Sequence, residues 1–198
     1  MGKPKAWLPF GDELMLPRVV RLLGDALGDA LGEALGEAAG PIVVVAAPEQ
    51  DVPPLPAAVA IVRDEERGRG PLEGLAAGLT ALQGRADAAY LSSCDVPFLR
   101  PAFVRRLAEL LGERQICVPH VGDFHHPLAA VYRLDVLPVV RRLLHANRLR
   151  PVYLFDEVRT RIVHADELLA VDPGLQTLRN LNTPEDYAAA LAELAAPA

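Results

Sequence analysis

Apolar and polar positions along this chain follow two rhythms. Ile42 to Ala47 is a continuous apolar run, the mark of a strand covered on both faces. Ala57 to Arg63, Ala88 to Ser92, Gln115 to Pro119, Leu128 to Tyr132 and Thr160 to His164 read as further strands. Helical patterns lie between them. Pro17 to Ala39 is one, ending at Gly40-Pro41; Pro71 to Gln83, Pro101 to Leu111 and Asp135 to His145 are others. Proline opens three of these helices, where its missing N–H costs nothing because the first turn leaves that donor unbonded anyway. Thr183-Pro184-Glu185-Asp186 caps a last helix ending near Leu194. Pro48 to Pro56 reads as a proline-rich loop and Asp64 to Gly70 as a charged, glycine-containing one. Strands alternating with helices predict an α/β fold of βαβ units around a mostly parallel, right-handed sheet. No long linker divides residues 1–198, so a single domain is expected.

One segment breaks the rhythm. From Gly24 to Glu37 a tetrapeptide of glycine, acid, alanine and leucine repeats in tandem. Each glycine costs a helix about 1 kcal/mol relative to alanine. The repeat reads either as a low-complexity surface extension or as a small-residue stripe for close helix approach.

Composition narrows the possible functions. Apolar residues make up 51% of the 198, enough for a sizeable core, and the formal net charge is −6. Nucleic acid is not expected as a partner, because phosphate tracking needs clustered Lys and Arg. Cys94 and Cys117 form no CxxC pair and give no zinc signal. No apolar run is long enough to span a bilayer and no signal peptide opens the chain, so a cytoplasmic protein without a membrane partner is expected.

The chemistry concentrates in three segments. Ser92-Ser93-Cys94-Asp95-Val96-Pro97-Phe98-Leu99 follows a strand and precedes a helix. A lone acid at the carboxyl end of a buried strand stands where open α/β sheets bind ligands. Asp95 there either holds a hard cation such as Mg2+ or caps the following helix. Arg63 to Leu75 is a strand-to-helix junction with Gly68, Gly70 and Gly74. Its glycines let backbone approach a ligand, and the helix start offers free amides; a solvated turn is the plainer reading. Lys5 precedes the Trp7-Leu8-Pro9-Phe10 stretch, which must pack. A lysine held beside a triphosphate would neutralise leaving pyrophosphate. His125 and His126 are adjacent and would point to opposite faces of a strand, while His120, His145 and His164 read as scattered structural or exposed residues. Asn180 and Asn182 share a face if extended, and either cap the last helix or reach the site.

Taken in order, these segments resemble the molybdenum cofactor guanylyltransferases, nucleotidyltransferases of Rossmann-like fold. Lys5 falls on the lysine that ends the family's opening glycine-rich motif. Asp64 and Gly70-Pro71-Leu72-Glu73-Gly74-Leu75 resemble its acid and Gly-Pro-Leu run, and Cys94-Asp95-Val96-Pro97-Phe98 its Cys-Asp-x-Pro-Phe motif. His126-Pro127-Leu128-Ala129-Ala130-Val131-Tyr132 and Asn180-Leu181-Asn182-Thr183-Pro184-Glu185-Asp186 are similar to family segments too. The resemblance implies a three-layer fold and transfer of GMP from GTP to molybdenum-molybdopterin, with pyrophosphate leaving. It implies Lys5 and Asp95 as catalytic residues, with Asp95 as the Mg2+ ligand. Lys5, Asp64, Gly70 and Asp95 would bind nucleotide, and Asn180, Asn182 and His126 would line the site. Molybdoenzymes or their chaperones would be further partners. The chain departs from the family where it starts: its first strand and Gly-Gly-x-Ser-x-Arg loop are missing, so a start placed too late is expected. It also lacks an asparagine near Ala46-Ala47-Pro48 that would meet the base. A molybdopterin cytidylyltransferase, another nucleotidyltransferase, or a non-catalytic molybdopterin-binding protein are the alternatives.

Overall fold

The computed structural model describes residues 4–28, 40–64 and 68–195. The chain opens with a single 3-10 turn, Lys5–Trp7, and a small antiparallel hairpin of β1 (Pro9–Phe10) and β2 (Glu13–Leu14). Helix α1 runs Met15–Gly28. It starts two residues before Pro17, which sits in the first turn, where a missing N–H is tolerated. The expected continuation to Ala39, and most of the repeat, lie outside the described residues.

Strands β3 (Val43–Ala46) and β4 (Ala60–Arg63) pair in parallel, Val43 opposite Ala60 and Ala46 opposite Arg63. Helix α2 (Pro71–Leu82) follows, then β5 (Ala88–Ser92) and α3 (Pro101–Leu111). The remaining strands are β6 (Ile116–Val121), β7 (Phe124–His125), β8 (Ala129–Arg133) and β9 (Thr160–His164). Helices α4 (Leu137–His145), α5 (Val152–Phe155) and α6 (Pro184–Ala195) complete the order.

The main sheet has the order β5-β8-β6-β7, with β9 also paired to β6. It is mixed rather than mostly parallel. β8 runs against both β5 and β6, and only β9 is parallel to β6 within this sheet. The reason is the connection. Gly122, at φ 59°, turns β6 into β7, and three residues then lead into β8. A parallel return needs a crossover of a dozen residues or more. β5, β6 and β9 nonetheless share one direction, so their carboxyl ends form one edge. Among the described residues β3 pairs only with β4, and β5 pairs only with β8. The apolar strand residues Val43, Val44, Val45, Ala88, Ala89, Tyr90 and Leu91 accordingly stay half-buried.

The period-two alternation of the strands builds a core on each face. Ile116, Val118, Ala130 and Tyr132 point to the side covered by Leu72, Leu75 and Leu79 of α2, Val140 and Leu143 of α4, and Leu154 of α5. Cys117, Val131 and Val163 point the other way, against Phe103, Leu107 and Leu111 of α3. Helices, sheet and helices thus make the expected three layers.

Candidate active site

Asp95 lies three residues past the end of β5. Its backbone carbonyl accepts the Leu181 N–H at 3.0 Å, which lays the Asn180–Asn182 segment alongside it. Its side chain is almost buried, at 11% exposure. Oδ2 accepts from Lys5 Nζ at 2.7 Å and Oδ1 from Asn180 Nδ2 at 2.8 Å. Lys5 Nζ also donates to Asn182 Oδ1 at 2.8 Å. Asn180 Nδ2 lies 3.0 Å from Ser93 Oγ as well. Four residues from three distant stretches thereby meet around one carboxylate.

Packing sets this convergence. The 3-10 turn buries Ala6 against Leu16 and Val20 of α1, and the Trp7 indole donates to the Asp51 carbonyl at 3.1 Å. The hairpin after it places Phe10 edge-on against Phe98, with ring centroids 5.5 Å apart. Arg18 donates to the Pro97 carbonyl at 2.8 Å. Both contacts grip the segment immediately after Asp95, while Cys94 before it packs in the cluster that holds Ala6 beside Lys5. On the other flank, Asp186 accepts from the amides of Asn182 at 3.1 Å and Thr183 at 2.9 Å. Thr183 Oγ1 accepts the Asp186 N–H in return. Thr183 and Asp186 therefore cap α6, which leaves both asparagine side chains to the site.

The electrostatics follow from this geometry. Burial works against ionisation of Asp95, but the hydrogen bonds from Lys5, Ser93 and Asn180 and the Lys5 charge outweigh it. Its pKa lies below the ordinary carboxylate value. The Cys94 thiol is pushed up, by burial first and the Asp95 charge second, so it stays protonated at neutral pH.

Asp64, Gly70 and His126 stand apart; among the described residues none of them hydrogen-bonds to this group. Asp64 follows β4 directly, its amide bonded to the Ala46 carbonyl. Its Oδ1 is buried with no hydrogen-bond partner among the described residues, and burial raises its pKa. Gly70 precedes α2 with φ 76° and ψ −167°. A Cβ there would meet nothing within 4 Å, so the backbone angle demands glycine rather than crowding by the protein. His126 lies in the turn before β8, its amide bonded to the Pro119 carbonyl at 2.9 Å. Burial first, then His120 and His125, lower its pKa. Sequence reasoning missed Ser93, the second partner of the Asn180 amide; its position two residues before Asp95 was the available signal.

The family profile of the MobA-like NTP transferase domain matches residues 1–160. The chain belongs to that family. This MobA-like NTP transferase is 33% identical, over 194 residues, to a probable molybdenum cofactor guanylyltransferase of Mycobacterium avium, covering 96% of this chain and 87% of the relative. It is 33% identical to the molybdenum cofactor guanylyltransferase of Desulfosudis oleivorans over 65% of this chain; that match spans 63% of the relative's length. Its fold matches the molybdopterin-guanine dinucleotide biosynthesis protein A of Archaeoglobus fulgidus with a TM-score of 0.71 at 18% identity, covering 98% and 91% of the two chains. The resemblance drawn from the motifs holds, and the chain is a nucleotidyltransferase. No helix among the described residues is long and apolar enough to cross a membrane.

Proposed function

We propose that this chain transfers GMP from GTP to molybdenum-molybdopterin, forming the guanine dinucleotide cofactor and releasing pyrophosphate. The Lys5–Asp95–Asn180–Asn182 cluster at the carboxyl edge of the sheet is the observation that carries this reading. The names of the relatives support the choice of nucleotide and acceptor.

Chemistry of this kind calls for a divalent cation, which we assign as Mg2+. The residues fit it. Asp95 accepts hydrogen bonds from Lys5, Asn180 and Ser93, which leaves one of a carboxylate's roughly four acceptor sites open. Among the described residues no cluster of three or more His, Cys, Asp or Glu is arranged to cage a metal. A single carboxylate suits Mg2+, which commonly takes one or two carboxylates and fills its shell with water and substrate phosphates. Bound there, the cation would neutralise phosphate charge.

The protein's own groups do the rest by position and charge. Asp95 stays ionised because its hydrogen bonds outweigh its burial. Lys5, which pairs with Asp95 in the free chain, exchanges that partner for triphosphate oxygens, and Asn182 keeps the ammonium in place as it does so. Asn180 holds the carboxylate by one oxygen and leaves the other free to serve. The unpartnered Asp64 Oδ1 accepts hydrogen bonds from the nucleoside, and the open surroundings of Gly70 leave room for it. A cytoplasmic location goes with this reading.

Purified protein given Mg2+, molybdenum-molybdopterin and either GTP or CTP tests it. Acceptor-dependent pyrophosphate release with GTP supports the proposal. Preference for CTP would make the protein a cytidylyltransferase, and acceptor binding without turnover on either nucleotide would make it a non-catalytic carrier.

A further inference from the structure

His120 and His164, read from sequence as scattered, are aligned in space with His125. His120 stands opposite His125 in the β6–β7 ladder and opposite His164 in the β6–β9 ladder. Directly paired residues share a face of the sheet. The ring centroids of His120 and His125 are 4.6 Å apart, and those of His120 and His164 are 6.0 Å apart. Phe155 of α5 extends the row, 5.4 Å from His125. Neighbouring rings are inclined by 66°, 78° and 50°. The row therefore alternates ring orientation and offers both faces and nitrogen-bearing edges. It is open at one end: His164 is exposed, His120 and His125 are half-buried, and Phe155 is buried.

Three facts say what such a row receives. It lies at the carboxyl ends of β6 and β9, the same edge at which Asp95 follows β5. Two strand spacings separate β5 from β6, about 10 Å at the usual inter-strand distance. A molecule with a phosphate at Asp95 and a short arm would therefore put its other end on these rings. Burial, with the charge of His120 second, lowers the pKa of His125. His125 is thus neutral near pH 7, able to stack and to donate and accept along its edge.

Resting on the transfer reading above, we propose that the His125–His120–His164 row, with Phe155 at its buried end, seats the flat heteroaromatic ring of the acceptor. The ring stacks on an imidazole face, and its N–H and C=O groups meet imidazole nitrogens. Nucleotide binding does not involve the row.

Fluorescence titration with pterin-6-carboxylate tests this. The unaltered protein quenches the probe on binding. His120→Ala and His164→Ala each weaken that binding by about threefold to tenfold, the range a stacked aromatic pair supplies. His164→Phe, which keeps a ring, restores most of it. GTP affinity by calorimetry stays the same in all three variants, which also shows that they are folded. In turnover assays the alanine variants raise KM for the acceptor with kcat little changed. Probe binding that ignores the alanine substitutions, or no probe binding by the unaltered protein, overturns the proposal. If the chain proves not to transfer GMP, probe binding still reads the row by itself. If GMP transfer holds while acceptor KM is unmoved by the substitutions, only the row's role falls.

Discussion

Replacing Asp95 by asparagine keeps its shape and removes its charge. The carboxylate accepts from Lys5 at 2.7 Å and from Asn180 at 2.8 Å. An amide in the same place accepts from one of these and turns its own NH2 against the other. One hydrogen bond is lost, together with the ion pair to Lys5, whose side chain is 32% exposed. Relief from burying a charge offsets part of this. The net cost is about 1–2 kcal/mol, which lowers the melting temperature by about 2–8 °C for a chain of this size. Turnover suffers far more, by roughly 10²-fold or beyond, because charge compensation in the transition state is lost. The pH dependence separates the two effects. The folded-state pKa of Asp95 lies below its ordinary value. Its contribution to stability is therefore complete above the unfolded value of about 3.9 and is lost as pH falls through the folded one. Asp95→Asn should remove that part of the acid limb in melting curves, which begins as pH falls below about 4. Near-normal turnover of Asp95→Asn would refute the assignment. A loss of turnover that only tracked the loss of folded protein would make Asp95 a structural residue.

Three further outcomes follow from the same geometry. Asp64→Asn should hold or raise the melting temperature at neutral pH, because burial raises the Asp64 pKa and ionised Asp64 therefore costs stability as pH rises above its unfolded value; the same change should weaken GTP binding in calorimetry, and unchanged affinity would remove Asp64 from the nucleotide site. Asp172 is fully buried and accepts from the amides of Gln176 at 3.0 Å and Thr177 at 2.8 Å, so Asp172→Ala should cost about 2–4 kcal/mol in denaturant unfolding; a cost under about 0.5 kcal/mol would show that water replaces it. The half-buried strands β3 and β5 each pair on one side only among the described residues, so their outward amides should exchange hydrogen much faster than those of β6, which is paired on both sides.

Much of the layer structure is legible in the sequence. Helix 101–111 and strands 88–92 and 160–164 matched the structure residue for residue, since each carries a clear period and turn residues at both ends. The pieces that escaped are those in which local signals are weak or point elsewhere. β1, β2 and β7 have two residues each, too few to display alternation. The apolar pattern ends a strand at Pro119, yet β6 continues to Val121. Pairing of β6 with β8 stops at Cys117, so the ladder asks no N–H of Pro119 on that side, and its carbonyl still serves the His126 amide. The direction of β8 was illegible because a pattern of apolar positions carries no polarity; only the short connection after β7 fixes it. In the site, Asp95 could be singled out from its place after a strand. The pairing of Lys5 with Asp95 across 90 positions could not, because it depends on how Phe10, Phe98 and Arg18 pack. The histidine row was hidden for the same reason: His120, His125 and His164 are neighbours only through strand register.

The central claim is that a guanylyl group ends up on the acceptor's phosphate. Mass analysis of the product formed from molybdenum-molybdopterin, Mg2+ and GTP labelled at the α-phosphorus tests this most directly. The expected product is a dinucleotide that carries guanine and the label, with unlabelled pyrophosphate released in equal amount. A labelled product without the acceptor, or pyrophosphate release that leaves the acceptor's mass unchanged, would contradict it.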